Sequence, residues 1–321
     1  MPSDLEWMQA AARYAARARP LCRPNPGVAA LLVQDGALFA RGFTQGGGRP
    51  HAEAVALEGL GEGGAAGATL YVTLEPCAHR SARGGACADL IAHARPARVV
   101  IGQPDPDPRT AGRGIARLEK AGIAVTLLED AASASSLAGY LTRQRLGRPH
   151  VTLKLAMSLD GCIALASGES QWITGEAARA HCHAMRARAD AILVGGGTWR
   201  KDRPRLNVRL PGLAERSPER IVLSRNAPEG VRTIGSPGEI AALEGLDMLY
   251  LEGGAETAAS FLAADLVDEL HLYRAPILIG DGLRALGSLG LGNLAEAHGR
   301  WRCARTLELG SDSFASYLRT R

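Results

Sequence analysis

Apolar residues recur at Leu5, Met8, Ala12, Ala15 and Ala16, a helical period that predicts a helix over Leu5–Ala18, stopped by Pro20, Pro24 and Pro26. The pattern then changes. Val28–Val33 is a short apolar run, Asp35-Gly36 is a hairpin signal, and Ala37–Phe43 returns, which predicts two antiparallel strands. After Gly46–Gly48 the spacing predicts a helix over Ala52–Leu60, a strand over Thr69–Leu74, a helix over Cys87–Ala94 and a strand over Arg98–Gly102. A helix over Gly114–Ala121 and a strand over Ile123–Leu128 follow. Helices alternating with strands predict a layered α/β domain.

A helix rich in small residues and arginine, Ala131–Arg145, is broken by Gly147-Arg148-Pro149, and the domain boundary is placed there, giving residues 1–146 and 147–321. Beyond it the pattern predicts a strand over Val151–Ser158, a turn at Asp160-Gly161, a helix over Gly175–Ala189, and a strand over Ala191–Val194 running into Gly195-Gly196-Gly197. Further strands are expected over Arg220–Ser224, Met248–Leu251 and Glu269–Tyr273. Met248–Leu251 is followed by Glu252-Gly253-Gly254 and a helix to Ala264. Strand, glycine turn and helix in that order present backbone N–H groups to a phosphate. No internal repeat joins the halves.

Composition narrows the class without naming a function. Hydrophobic residues at 46% and charged residues at 22% suit a globular protein, and no run of about 18 apolar residues is present to span a bilayer. Met1–Pro20 carries Asp4, Glu6, Arg13, Arg17 and Arg19, so it lacks the apolar core of a signal peptide, and a cytoplasmic protein is expected. Six cysteines without a secretory signal point to metal ligands or nucleophiles rather than to a disulfide framework. The net charge of +4 is spread over both halves, and neither half is basic enough to read as a nucleic-acid binder on charge alone.

The candidate chemistry centres on His51-Ala52-Glu53, Glu75-Pro76-Cys77 and Cys87. Catalytic zinc takes three protein ligands and keeps a fourth position for water. His51, Cys77 and Cys87 supply the three, and Glu53, two residues after the histidine, can sit beside the ion without binding it. It would carry a proton from a zinc-acidified water to a departing amine. Taken singly, His51 reads as a helix cap and each cysteine as a small buried hydrophobe; taken jointly they read as a deaminase site. The cysteines stand ten positions apart, with Ala78–Ala86 between them, rather than in the usual Pro-Cys-x-x-Cys.

Pro24-Asn-Pro-Gly-Val28, Pro50-His-Ala-Glu53, Tyr71-Val-Thr-Leu-Glu-Pro-Cys-Ala-His79, Asp105-Pro-Asp-Pro108 and Ala111-Gly-Arg-Gly114 together resemble the bifunctional riboflavin-biosynthesis deaminase and reductase family. That family also separates its two cysteines by a loop, normally with Gly-Arg/Lys-Thr-Pro-Pro before the second; here residues 80–86, Arg-Ser-Ala-Arg-Gly-Gly-Ala, replace it and are one residue longer. Thr44 stands where the family usually has histidine. The resemblance implies that Asn25 and His79 contact substrate, although Asn25 between two prolines equally suits a turn.

The resemblance continues through Leu153-Lys-Leu-Ala-Met-Ser-Leu-Asp-Gly161, Ser167-Gly-Glu-Ser-Gln-Trp-Ile-Thr174, Asp202–Arg209 and Leu251-Glu-Gly-Gly254, and so covers nearly the whole chain. It implies a cytidine-deaminase-like layered α/β domain followed by a dihydrofolate-reductase-like α/β domain, with Zn2+ in the first and NADPH in the second. It places Lys154 in catalysis and Ser170, Arg186, Leu206, Arg209 and Glu252 on the substrate side. Guanidinium forks at Arg186 and Arg209 suit a phosphate. Ala156, Trp172, Thr198, Asp202, Ser224 and the turn of Gly254, Ala255, Glu256, Thr257, Ala258, Ala259 and Ser260 fall on cofactor positions. Other readings stay open: Lys154 as a strand-edge lysine in water, Glu252 as a helix-start carboxylate, Trp172 as a core aromatic. The family's usual Asp-Asp-Pro is Asp202-Arg203-Pro204 here, and the stretch to Pro218 is short.

The expectation is therefore a fused enzyme, and a homo-oligomer, that deaminates a diaminopyrimidinone ribosylamino 5′-phosphate and then reduces its ribose to a ribityl chain. The rivals are a nucleoside or tRNA deaminase fused to an unrelated reductase, and a ligand-sensing descendant without turnover. His181-Cys182-His183 is not read as a metal site, because residues two apart on a helix point to nearly opposite sides.

Overall fold

The computed structural model describes residues 1–80, 84–226 and 228–321, so part of the 80–86 loop, residues 81–83, lies outside the described residues. The chain forms two compact units, Met1–Gly147 and Arg148–Arg321.

The first unit contains α1 (Asp4–Ala15), β1 (Ala29–Gln34), β2 (Ala37–Phe43), α2 (Ala52–Ala56), β3 (Thr69–Val72), α3 (Cys87–Ala94), β4 (Arg98–Ile101), α4 (Arg113–Lys120), β5 (Ala124–Leu127), α5 (Ala131–Ser136) and α6 (Ala138–Leu146). Its sheet runs β2-β1-β3-β4-β5, with β1 antiparallel to both neighbours and β3, β4 and β5 parallel. Alternate residues of the strands feed two cores. Ala30, Leu32, Leu70, Val72, Val99 and Ile101 pack against α2, α3 and α4, and Ala29, Leu31, Tyr71 and Val100 pack against Met8, Ala11 and Ala15 of α1. Burial on both faces explains why β1 reads as a continuous apolar run instead of an alternating one.

In this unit three predicted helices come out shorter or divided. The first ends at Ala15, not Ala18, and the second at Ala56, not Leu60. The third, expected over Ala131–Arg145, is two helices separated at Leu137, whose φ of −103° and ψ of 5° leave the helical region while its side chain is fully buried. Apolar burial at Leu137 thus overrides local helix propensity.

The second unit contains β6 (His150–Met157), β7 (Cys162–Leu165), α7 (Glu176–Arg186), β8 (Ala191–Gly195), α8 (Gly196–Asp202), β9 (Glu219–Leu223), β10 (Arg232–Ile234), β11 (Met248–Leu251), α9 (Ala255–Ala263), β12 (Glu269–Arg274), β13 (Gly282–Arg284), β14 (Trp301–Leu309) and β15 (Asp312–Arg319). Eight strands make one sheet in the order β10-β9-β8-β11-β6-β12-β15-β14, parallel except where β15 pairs with β12 and β14. Leu153, Leu251 and Phe261 belong to the core on the α9 side, and Ile192, Val194, Tyr250 and Tyr273 to the core that meets α7. The strands β7, β10, β13, β14 and β15 and the helix α8 were not expected from the pattern. β14 is largely exposed, and a bulge between Cys303 and Arg305 interrupts the alternation of Trp301, Leu307 and Leu309 with Arg302 and Glu308.

Close packing fixes where α2 sits, and with it His51 at its start. A Cβ built on Gly42 of β2 would come 2.2 Å from Ala52 O and 2.6 Å from Ala56 N, so the helix lies directly on bare strand backbone. Gly42→Ala is expected to lower stability by about 1–3 kcal/mol, read as a fall in the urea midpoint at unchanged slope.

Candidate functional site

His51 is the residue that caps α2, Cys77 follows the end of β3, and Cys87 is the first residue of α3. Their candidate ligand atoms lie within 4.8 Å of one another. His51 Nδ1 is 3.2 Å from Cys87 Sγ and 3.7 Å from Cys77 Sγ. Tetrahedral zinc with one nitrogen and two sulfur ligands needs such separations, roughly 3.5–3.8 Å, given bonds of about 2.0–2.3 Å. The donor set therefore fits Zn2+.

The environment of the two thiols suits a cation as well. A hydrogen bond from the Cys87 thiol brings Cys77 down to about 4, helped by His51 and by the Cys87 N–H, which donates to Cys77 Sγ at 3.3 Å. Cys87 is pushed up as the donor in that hydrogen bond and by burial. One proton held between two sulfurs is what a dication displaces. Burial pushes the Glu53 carboxyl up, opposed by the nearby His51, and the side chain is only 4% exposed.

His51 has a partner behind it. Asn25 Nδ2 lies 2.9 Å from His51 Nε2 and donates to Gly48 O at 2.9 Å. The same amide nitrogen makes both contacts, so Asn25 fixes the ring through Nε2 and leaves Nδ1 facing the two thiols. His79 sits 3.4 Å from the buried Thr110 hydroxyl. Asn25, His51, Glu53, Cys77 and His79 all line one cavity of about 270 Å³.

The far wall of that cavity brings in Tyr140 and Arg109, which no sequence motif marked. Tyr140 on α6 donates to Asp105 at 2.7 Å, and burial pushes the Asp105 carboxyl up despite that bond. Asp107 takes Arg109 on both oxygens. The buried Glu75 carboxylate accepts from the N–H groups of Asp105, Gly112, Gly114 and Ile115 at 3.0–3.3 Å, tying the end of β3 to that wall. Asp105-Pro-Asp107-Pro108 was visible as a motif, but nothing in the sequence connects it to Tyr140. Thr44 also lines the cavity, its hydroxyl accepting from the Val28 N–H at 3.0 Å.

In the second unit Lys154, Arg186 and Glu252 converge. Leu153 and Leu251 are register partners, so Glu252 leaves β11 beside Lys154 of β6. Lys154 Nζ is 3.7 Å from Glu252 Oε2, and Arg186 grips the same carboxylate with Nε at 2.5 Å and Nη2 at 2.9 Å. Burial works to raise the Glu252 carboxyl, but Lys154 and Arg186 outweigh it and hold it at about 2. Arg186 also donates from Nη1 to Asn207 O at 3.1 Å, so three of its five N–H donors are engaged within the protein. Leu206, buried at φ +53°, makes the turn that leads to Asn207. Arg209 is exposed, with its Nε 3.2 Å from His183 Nε2.

The lysine does not point into open water, since its side chain is 20% exposed and faces Glu252. Trp172 is not a core aromatic: it is 61% exposed, with Arg179 stacked 4.9 Å from its ring centre. Ser170 and Asp202 are exposed, and Ala156 packs against the core on the α7 side.

The remaining cofactor positions gather at the ends of β8 and β11. A Cβ on Gly195 would meet Thr257 Oγ1 at 2.2 Å, one on Gly196 would meet Ser224 Oγ at 2.9 Å, and one on Gly254 would lie 3.6 Å from Thr198 Oγ1. The first N–H groups of α9, from Gly254 to Thr257, have no partner within the helix. These glycine turns and free donors fit the diphosphate of NADPH. Ala258 and Ala259 are buried and the Ala258 N–H is spent on Gly254 O, so the turn's ligand-facing part narrows to its first residues, with Ser260 bonded to Thr257 O.

Residues 1–103 match the cytidine and deoxycytidylate deaminase zinc-binding region, and residues 149–233 and 239–314 match the RibD C-terminal domain. The riboflavin biosynthesis protein RibD of Escherichia coli is 38% identical, over 92% of this chain and 94% of its own. The chain belongs to the RibD family. Its Mycobacterium tuberculosis member is 39% identical over 92% of this chain and 91% of its own. The solved Acinetobacter baumannii RibD superposes with a TM-score of 0.85 at 33% identity, covering 99% of both chains. A Thermotoga maritima diaminohydroxyphosphoribosylaminopyrimidine deaminase/5-amino-6-(5-phosphoribosylamino)uracil reductase does so at 0.83 and 29%, covering 98% and 99%. The protein is thus a bifunctional deaminase and reductase of riboflavin biosynthesis that uses Zn2+ and NADPH.

Two outcomes test this geometry. Cys87→Ala should drop bound zinc from about one per chain to a small fraction, measured by elemental analysis. Because Glu252 is held below its ordinary value of 4.5, its stabilisation is complete above pH 4.5 and is lost as pH falls through about 2. Urea midpoints compared at pH 7 and pH 2.5 should therefore fall further for the wild type than for Glu252→Gln.

Proposed function

We propose that residues 1–146 hydrolytically deaminate 2,5-diamino-6-(5-phosphoribosylamino)pyrimidin-4-one and that residues 147–321 then reduce the ribosyl group of the product to a ribityl chain. The observation that carries the first half is the buried Glu53 carboxyl in one cavity with His51 and Cys77, two of the three clustered donors His51, Cys77 and Cys87. The order follows from the chemistry in the Thermotoga maritima relative's name, in which the deaminase acts on a diaminopyrimidine and the reductase on a uracil. Loss of one amine converts the first ring into the second.

His51, Cys77 and Cys87 would hold the metal, which when bound supplies an electrophilic centre that acidifies a water. Glu53 then takes the proton and returns it to the departing amine. A carboxyl pushed up by burial suits both halves of that transfer. Asn25 keeps His51 oriented, and with His79 it borders the space for the substrate.

In the reductase, NADPH supplies the hydride. The turn around Gly254, Ala255, Glu256 and Thr257, with Thr198 and Ser224, would receive its phosphates. Lys154 would donate from its ammonium to the sugar in its open, imine-like form as the hydride arrives at C1. Glu252 and Arg186 position that ammonium, since the carboxylate that Arg186 grips also lies 3.7 Å from Lys154 Nζ. Arg209 is left as the guanidinium for the phosphate, with Ser170 and Leu206 nearby in the family's substrate pattern. The same reading takes the protein as a cytoplasmic homo-oligomer acting on a small molecule; no helix among the described residues is long and apolar enough to cross a membrane.

Glu53→Gln is expected to abolish deamination by at least about 100-fold while retaining zinc and the reduction of pre-deaminated substrate. Deamination that persisted in this variant would remove Glu53 from its role. Lys154→Ala should cripple reduction alone, read as loss of NADPH oxidation with the uracil substrate while the deaminase rate is unchanged.

A further inference from the structure

We propose that Arg49 is the specificity-determining residue that receives the substrate's 5′-phosphate in the deaminase cavity, an inference that rests on the substrate reading above. The cavity is lined by four carboxylates, Glu53, Glu75, Asp105 and Asp107. A phosphate dianion entering such a lining needs a cation to offset both repulsion and lost hydration.

Among the described residues, two guanidinium groups line the cavity, Arg49 and Arg109. Arg109 is committed, with Nε on both oxygens of Asp107 at 3.0 Å and Nη2 on Oδ2 at 2.5 Å. His79 is occupied at Nδ1 by the Thr110 hydroxyl. Arg49 is different: among the described residues it forms no ion pair, and its half-buried stem fixes where the head group can reach.

Two features build this position rather than leaving it to chance. Arg49 is two residues before His51, so the chain that places the candidate metal ligand also places the guanidinium. Its Nη1 crosses Gly84, three residues before Cys87; a Cβ there would come within 2.7 Å, and Gly84 sits at φ +151°, which a side chain rarely adopts. The guanidinium is thus held between the segments leading into two of the three candidate ligands. From there its planar donor fork can meet phosphate oxygens bidentately. Arg49 would then select the nucleotide over the free nucleoside without touching the reacting carbon.

The test uses the full-length, zinc-loaded chain without NADPH, assayed on the phosphorylated pyrimidine and on its counterpart with a free 5′-hydroxyl. Arg49→Ala should raise KM for the phosphorylated substrate about 10- to 100-fold, the range that a charge-assisted contact carries, with kcat and the KM of the 5′-hydroxyl compound little changed. Arg49→Lys should recover part of the loss. Inorganic phosphate should compete with substrate in the wild type and fail to do so in Arg49→Ala, and an unchanged zinc content and urea midpoint would show that the variant is folded. An unchanged KM for the phosphorylated substrate, or an equal rise for both compounds, overturns the assignment of Arg49. A wild-type chain that leaves the phosphorylated pyrimidine untouched but deaminates the 5′-hydroxyl compound overturns the substrate reading and this inference with it.

Discussion

The deaminase site depends on one buried carboxylate that does no chemistry. Glu75 ends the β3 segment immediately before Pro76-Cys77 and accepts four backbone N–H bonds from the 105–115 stretch. A buried charge is tolerable only when its lone pairs are filled, and here the filling groups are the wall of the cavity itself. The same bonds that satisfy Glu75 set the distance between the Cys77 segment and Asp105. Gly114 makes this possible, since a Cβ there would come 2.1 Å from Pro76 O. Metal ligands and substrate wall are thereby parts of one hydrogen-bonded unit, although they come from separate stretches of sequence.

The second unit solves a related problem differently. Glu252 is also a buried carboxylate at a strand end, but its partners are side chains, Arg186 and Lys154. Backbone donors cannot be exchanged for anything else, whereas a lysine that shares a carboxylate with an arginine can leave it for a substrate while the carboxylate stays paired. The carboxylate contacts at 2.5 and 2.9 Å for Arg186 against 3.7 Å for Lys154 express that inequality. The tighter partner holds the site and the looser one is available.

The sequence made much of this legible, for identifiable reasons. Strands buried on both faces, such as β1 and β8, announce themselves as apolar runs, and His51, Glu53, Cys77 and Cys87 are residue types whose conjunction has few other uses. Roles that depend on what a side chain touches were not legible. Arg186 looks like a phosphate ligand by type, and only its bidentate grip on Glu252 and its bond to Asn207 O show that it is already engaged. Tyr140 lies 35 residues from Asp105 on a helix that Leu137 separates from its predecessor, and no pattern joins them. A bulge between Cys303 and Arg305 breaks the alternation of the exposed β14, and β15 sets its buried Phe314 and Ala315 side by side, so the antiparallel end of the large sheet was silent.

Each unit has its own sheet, its own core and its own set of candidate site residues, on one continuous chain. Translation therefore delivers the two catalysts in a fixed one-to-one ratio. A cell holding two separate polypeptides can correct a slow second step by making more of the second; this chain leaves no such freedom. Any imbalance between the amine-releasing and hydride-accepting steps has to be absorbed by the turnover numbers themselves, which places the reductase's Lys154–Glu252–Arg186 cluster and the deaminase's Glu53 under a shared constraint on rate.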